Sequence, residues 1–241
     1  MDTLSGDAAE RSLPSDWGTT FENYKAAWAS ATTVTLPDDW QDGFREAERA
    51  HDDLIRAGRW QSGPRSLLGV LGLRSSEVVH SAVLAWLLDP AARHGLGSAL
   101  LERLLARLRL PATHARHRIR VAVEEECLPG DRPDVGYVDV VVRGEGWTVV
   151  IENKVWSGQH GRQLDTYHAS YTDGATTFVF LTPDGIRARS ADPRVATAYI
   201  PLSWRRHVIP DLQSAIDGCA ADSTFPAAAI DYLTALTEEF P

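Results

Sequence analysis

The segment Val138-Asp139-Val140-Val141-Val142-Arg143-Gly144-Glu145-Gly146-Trp147-Thr148-Val149-Val150-Ile151-Glu152-Asn153-Lys154 decides the fold. Two β-branched apolar runs meet at Gly144-Glu145-Gly146, the pattern of a hairpin between buried strands. Val149-Val150-Ile151 is apolar on both faces and reads as a central strand. Side chains alternate along a strand, so Glu152 and Lys154 share a face. Burying a carboxylate and an ammonium at the end of such a strand is costly unless they are paired or bound to something. Asp139 lies inside the preceding apolar run. If the strands pair through the turn, position 139 falls opposite about position 151, near Glu152.

Outward from this hairpin, the spacing predicts helices over 75–88 and 95–109, opened by Ser75-Ser76-Glu77 and by Gly95-Leu96-Gly97-Ser98. A strand is expected over 119–125, a helix over 159–171, strands over 176–181 and 196–202, and helices over 208–216 and 227–240. Upstream, Phe44, Ala47, Leu54 and Ile55 share one face of a helix over 41–57. Gln61-Ser62-Gly63-Pro64 reads as a linker. The expected organisation is an acidic, helical N-terminal appendage over residues 1–62, in part disordered, and a core domain over 63–241. The order of elements predicts an α/β fold with a central mixed sheet flanked by helices.

The chain has 241 residues and a formal net charge of −9. The charge is unevenly spread. Residues 1–60 carry 12 acids against 6 bases, residues 61–123 carry 3 against 9, and residues 124–154 carry 8 against 3. A basic belt followed by an acidic cluster suits phosphate binding beside a metal site. The longest purely apolar run, Ala82–Leu88, is seven residues and too short to span a membrane. The acidic N-terminus predicts no signal peptide, and two well-separated cysteines, Cys127 and Cys219, suit a reducing cytoplasm. Of 24 basic residues only Lys25 and Lys154 are lysine. Where nearly every cation is arginine, a remaining lysine is a candidate for chemistry that a guanidinium cannot do.

Two neighbouring carboxylates make a hard-oxygen site of the kind Mg²⁺ occupies, with water and phosphate completing its shell. Asp139, then Glu152-Asn153-Lys154, then Gln163-Leu164-Asp165-Thr166-Tyr167 together resemble the PD-(D/E)XK nuclease superfamily, in its branch with a Q-x-x-x-Y motif. The resemblance covers about residues 75–182 and includes Glu77-Val78-Val79-His80-Ser81. It implies a restriction-endonuclease-like core. Asp139 and Glu152 would ligate Mg²⁺ (Mn²⁺ as a substitute), with the backbone carbonyl of Asn153 as a further ligand. Lys154 would be catalytic. Glu77 would be an additional acidic residue in or near the metal shell. Gln163 and Tyr167, four apart on one helix face, would orient the site or touch the DNA backbone. Asp134 is a second candidate for the position of Asp139. Arg116, Arg118 and Arg120 in the basic belt are the candidate phosphate contacts.

The activity so implied is Mg²⁺-dependent hydrolysis of phosphodiester bonds, in DNA, in restriction or phage defence. A homodimer and a defence-system partner protein are the partners the resemblance suggests. Two other readings stay open: a non-catalytic nucleic-acid-binding module on a nuclease-like fold, and an RNA-directed toxin nuclease. Glu124, Glu125 and Glu126 are expected at a solvated strand end, and His80 and His94 in structural roles. The scarcity of lysine yields one test. Lys154→Arg should keep charge and fold yet lose most cleavage, whereas a fully active variant would return the scarcity to codon bias.

Overall fold

The computed structural model describes residue 19 and residues 22–27, 39–111, 118–127, 136–156, 163–172, 175–190, 192–219 and 226–241. The chain divides into two compact units, Met1–Ser62 and Gly63–Pro241. In the first, helix α1 (Trp40–Arg56) is strongly amphipathic, with an acidic first turn at Asp42 and Arg56 in the last. None of its residues is buried.

The second unit opens with the short helix α2 (Leu67–Val70), then α3 (Glu77–Leu88) and α4 (Ala99–Arg107). Ser76 caps α3: its side chain accepts the Val79 N–H, and Glu77 sits in the first turn, where a carboxylate favours the helix dipole. Strands β1 (Arg120–Cys127), β2 (Gly136–Gly144) and β3 (Trp147–Asn153) form an antiparallel meander. Helix α5 (Gln163–Ser170) crosses to β4 (Thr176–Thr182), and α6 (Pro193–Ala198) leads to β5 (Tyr199–Ser203). Both of these strands run parallel to β3. The sheet order is β1-β2-β3-β4-β5. A π-helical turn (Trp204–Val208), α7 (Ile209–Asp217) and α8 (Ala227–Glu239) complete the unit. This is the mixed sheet flanked by helices that the sequence predicts.

All seven residues of β3 are buried, which makes it the central strand. On one face Val140, Val142, Val149, Ile151, Val179 and Leu181 pack against the leucines of α3, α4, α7 and α8. On the other, Val138, Val141, Val150, Phe178 and Phe180 pack against Leu164 and Tyr167 of α5 and Val195 of α6. Each such side chain contributes about 1.5–3 kcal/mol of transfer free energy. Val138 and Val140 lie on opposite faces although they are two apart. The alternation therefore breaks between them, at Asp139. In β1, Glu124 adopts a left-handed φ of 47° beside the same point, and Cys127 joins the α5 face.

Three expectations need correction. The segment expected as a strand over 196–202 begins as helix α6, because Asp192 caps it by accepting the Arg194 N–H and Pro193 is preset for its first turn. Helix α2 and the π-helical turn were not foreseen, being too short for a periodicity to show. The hairpin register pairs Val140 with Ile151, so one further step sets Asp139 across from Glu152 rather than from Ile151. Asp134, Arg116 and the expected start of the helix at Gln159 lie outside the described residues.

Glu125 is not simply a solvated strand end. Its carboxylate takes both terminal nitrogens of Arg143 and the Tyr171 hydroxyl, the last at 2.7 Å. The Arg143 guanidinium, opposed by burial and helped by Tyr171, holds Glu125 below its ordinary value of 4.5. A depressed carboxylate stabilises the fold fully above its unfolded pKa, and the effect is lost as pH falls through the folded one. Glu125→Gln should therefore cost about 1 kcal/mol at pH 7, since the pair is partly solvated. In chemical denaturation the gap to wild type should close on acidification below 4.5.

Candidate active site

The ladder between β2 and β3 runs from Gly144–Trp147 to Val140–Ile151, and no backbone pair continues it at Asp139 and Glu152. The two strands splay there. The N–H of Asn153 is bonded instead by the Asp139 side chain, Oδ2 accepting at 2.7 Å. On its other side β3 stays paired, and the Lys154 N–H donates to the Leu181 carbonyl of β4 at 2.8 Å. The fork thus opens on the β2 side only, with a carboxylate on each branch.

Glu152 is fully buried. Lys154 Nζ lies 2.8 Å from its Oε1, yet neither Glu152 oxygen meets a well-directed hydrogen bond. Burial, and then the Asp139 carboxylate, push Glu152 up to about 8. Burial also lifts Asp139 above the usual carboxylate range, while the Asn153 N–H works to lower it. For Lys154, burial acts downward, but Glu152, Asp139 and Glu77 outweigh it and raise the ammonium above its ordinary value. Lys154 is therefore a fixed positive charge rather than a base at neutral pH.

Glu77 comes from the first turn of α3. Its Oε1 accepts the N–H groups of Val155 at 2.7 Å and Trp156 at 3.1 Å, and its Oε2 stands 4.0 Å from Lys154 Nζ. It anchors the turn that leaves β3. Among the described residues no three His, Cys, Asp or Glu side chains converge to hold an ion. Glu77 thus stands beside the Lys154 ammonium with one carboxylate oxygen committed to backbone N–H groups. Asp139 and Glu152 do fit a divalent cation. Two neighbouring carboxylates, one with buried oxygens lacking directed donors, are relieved by a second positive charge beside Lys154.

Asn153 is completely enclosed. Its amide donates to Ser81 Oγ at 3.1 Å and the Glu77 carbonyl at 3.3 Å, and accepts from Trp204 Nε1 at 2.9 Å. The middle residue of the triplet thereby locks the end of β3 to α3 and to the π-helical turn. Ser81 and Trp204 escaped the sequence reading because nothing in spacing links them to position 153. Of the two roles expected for Tyr167, orienting the site and touching the DNA backbone, its surroundings suit the first. It is buried, its hydroxyl donates to the Tyr137 carbonyl, and Gln163 Nε2 donates to that hydroxyl at 2.6 Å. Enclosed in this way it braces β2 two residues before Asp139. Burial, then Glu152, raise its pKa.

His80 holds a structural place. Its Nε2 faces the Arg74 carbonyl, which can only accept, so Nδ1 is the acceptor for the Tyr232 hydroxyl at 2.8 Å. His94 likewise serves backbone groups, at Asp89 and Leu96. Arg120 pairs with Arg143, four residues along β2 from Asp139 or about 13 Å at strand spacing. The structure does not bring it to the carboxylates. Arg118 precedes β1 with a φ of 43°.

A family model described as the PD-(D/E)XK nuclease superfamily matches residues 67–229. The chain belongs to that superfamily. The match takes in the fork, the E-x-K triplet and every strand of the sheet, and the fold is restriction-endonuclease-like. Members of the PD-(D/E)XK superfamily are in general metal-dependent nucleases. No curated protein matches the chain. A solved structure titled "Crystal Structure of Protein of Unknown Function AF1548" is similar over 48% of this chain at 16% identity and a TM-score of 0.27. This chain spans 65% of that one, and so slight a likeness carries no argument. No helix among the described residues is long and apolar enough to cross a membrane.

The enclosure of Asn153 makes a stability prediction. Asn153→Ala leaves the Trp204 N–H and the Ser81 hydroxyl unpaired in the core, which costs about 2–4 kcal/mol. A thermal melt should show a fall of roughly 4–16 °C.

Proposed function

We propose that this chain is a Mg²⁺-dependent nuclease that hydrolyses phosphodiester bonds in DNA, with Mn²⁺ as a substitute. The observation that carries the reading is the fork. Asp139 and a fully buried Glu152 stand on diverging strands under the one ammonium of Lys154. An arrangement so costly to bury is retained where it binds something.

In this reading Asp139 and Glu152 hold the cation, and the Asn153 carbonyl is a further ligand. The cation supplies positive charge that stabilises a phosphodiester under attack. Lys154, kept protonated by its acidic neighbours, donates to a phosphate oxygen and positions the attacking water. Arginine would serve poorly, because its planar fork cannot stand where a compact ammonium fits between Glu152 and Glu77. Glu77 fixes the turn that carries Lys154 outward. Gln163 and Tyr167 hold β2 in place below Asp139. A role in restriction or phage defence, as a homodimer or with a defence-system partner, is supported by the family resemblance.

Purified protein with supercoiled plasmid and Mg²⁺ is the direct assay. The expected result is nicking or linearisation that chelator abolishes. The double variant Glu152→Ala, Lys154→Ala should lose at least about a hundredfold in rate. Equal cleavage by that variant and wild type would overturn the proposal. Binding unaffected by chelator, with no cleavage under any divalent metal, would favour a non-catalytic module. Mg²⁺ should also raise the melting temperature of the metal-free protein, and Asp139→Ala should abolish that rise.

A further inference from the structure

Two of the most exposed aromatic side chains in the second unit stand on either side of the fork. Tyr137 is 55% exposed and Trp156 is 60% exposed. Tyr137 lies two residues before Asp139 on β2, about 7 Å away along the strand. Trp156 lies two residues after Lys154. Of the other tryptophans of this unit, Trp147 and Trp204 are buried and Trp86 is half-buried against the core, so a largely exposed indole stands apart among them.

Both residues are anchored, Trp156 by its ring and Tyr137 by its backbone. The Trp156 backbone N–H donates to Glu77 Oε1 at 3.1 Å, and its indole N–H donates to Glu239 Oε1 at 2.6 Å. The same Glu239 oxygen takes the Ser75 hydroxyl at 2.9 Å, so α8 and the start of α3 fix the ring by its edge. Tyr137 is tethered through its carbonyl to Tyr167. Its neighbours Gly136 and Val138 turn toward α5, where a Cβ on Gly136 would come within 2.9 Å of Cys127 and Tyr167. The ring is thereby sent to the opposite side. The pinned Trp156 ring loses little conformational freedom when a ligand covers it.

We propose that Trp156 and Tyr137 are base-stacking residues, and that the site selects nucleic acid with unpaired bases, such as single strands or frayed ends, over continuous duplex. The inference rests on the nuclease reading for its chemistry and on the two rings for its substrate class. Charge supports the same choice. Among the described residues, the charged groups bonded to Trp156 or paired across from Tyr137 are carboxylates: Glu77 at the Trp156 backbone, Glu239 at its ring, and Glu126 opposite Tyr137. A duplex shows the protein its phosphates, one charge for about every 1.7 Å of axis, and acidic rims repel it. A single strand can turn its bases to the rings and its phosphates away. Stacking on aromatic faces is sequence-tolerant, because every base has a π-face.

The test uses the full chain and two readouts. Fluorescence anisotropy with a labelled single-stranded oligonucleotide and its matched duplex, in the Lys154→Met background, reads binding without turnover. Cleavage of the same two substrates with Mg²⁺ reads activity. Single strands should bind and be cut at least about tenfold better than duplex. Trp156→Ala and Tyr137→Ala should each weaken single-strand binding about tenfold while leaving duplex binding unchanged, and Trp156→Phe should retain most of it. Tyr137→Ala and Trp156→Phe keep the test open if Trp156→Ala fails to fold. Equal cleavage of both substrates, with binding indifferent to Trp156 and Tyr137, overturns the stacking assignment and leaves the nuclease reading intact. Single-strand binding that depends on both rings, without cleavage under Mg²⁺ or Mn²⁺, overturns the nuclease reading and supports the assignment.

Discussion

The rest of this structure is arranged around two carboxylates buried at the point where strands β2 and β3 part. Asp139 and Glu152 are set across from one another by the hairpin register. Burial raises the pKa of both, and the Asp139 carboxylate raises that of Glu152 further. Left alone, such a pair would be neutralised or would open the core to water. Three devices prevent this. Asp139 takes the backbone N–H that the broken ladder leaves free, Lys154 brings its ammonium to Glu152, and the Asn153 side chain ties the strand end to α3 and the π-helical turn.

The outer layers serve the same end. On one face, α5 presses Tyr167 under β2 and bonds the Tyr137 carbonyl just upstream of Asp139. On the other, α8 clasps the chain that leads into α3. Glu238 accepts from the Arg65 backbone N–H and the Ser66 hydroxyl at 2.9 Å, and Asp231 accepts the Leu67 N–H at 3.1 Å. Glu239 reaches both Ser75 and Trp156. Since Glu77 begins α3 and holds the turn after Lys154, the C-terminal helix bears on the position of the ammonium without touching it. The helices α3, α5 and α8 are thus not a generic cover for a sheet. Each delivers a hydrogen bond to one branch of the fork.

The hairpin, the central strand and the E-x-K triplet were legible because their signals are local. β-branched runs around a glycine turn can form little else, and a charged pair at the end of an apolar strand demands a reason. The directions of the Glu77 and Tyr167 side chains are what the backbone pattern leaves open. Each residue is near the fork, and hydrogen bonds to backbone groups distant in sequence fix where it points. The short helices α2 and α6 were missed for a different reason. They hold six residues or fewer, less than the span over which a 3.6-residue period can be told from a strand.

By itself the sequence determined the central hairpin, the mixed sheet and the identity of the residues at its fork. These follow from alternation, turn chemistry and the cost of burying charge, all of which act within a few residues. Only the tertiary structure decided which carboxylates share a site, that Asn153 is locked through Ser81 and Trp204, and that Tyr137 and Trp156 stand exposed on either side. These are contacts between segments as much as 83 residues apart, set by how three helices pack on two faces of a sheet. The rotation of a side chain at such a junction depends on every neighbour at once, and no pattern along the chain records it.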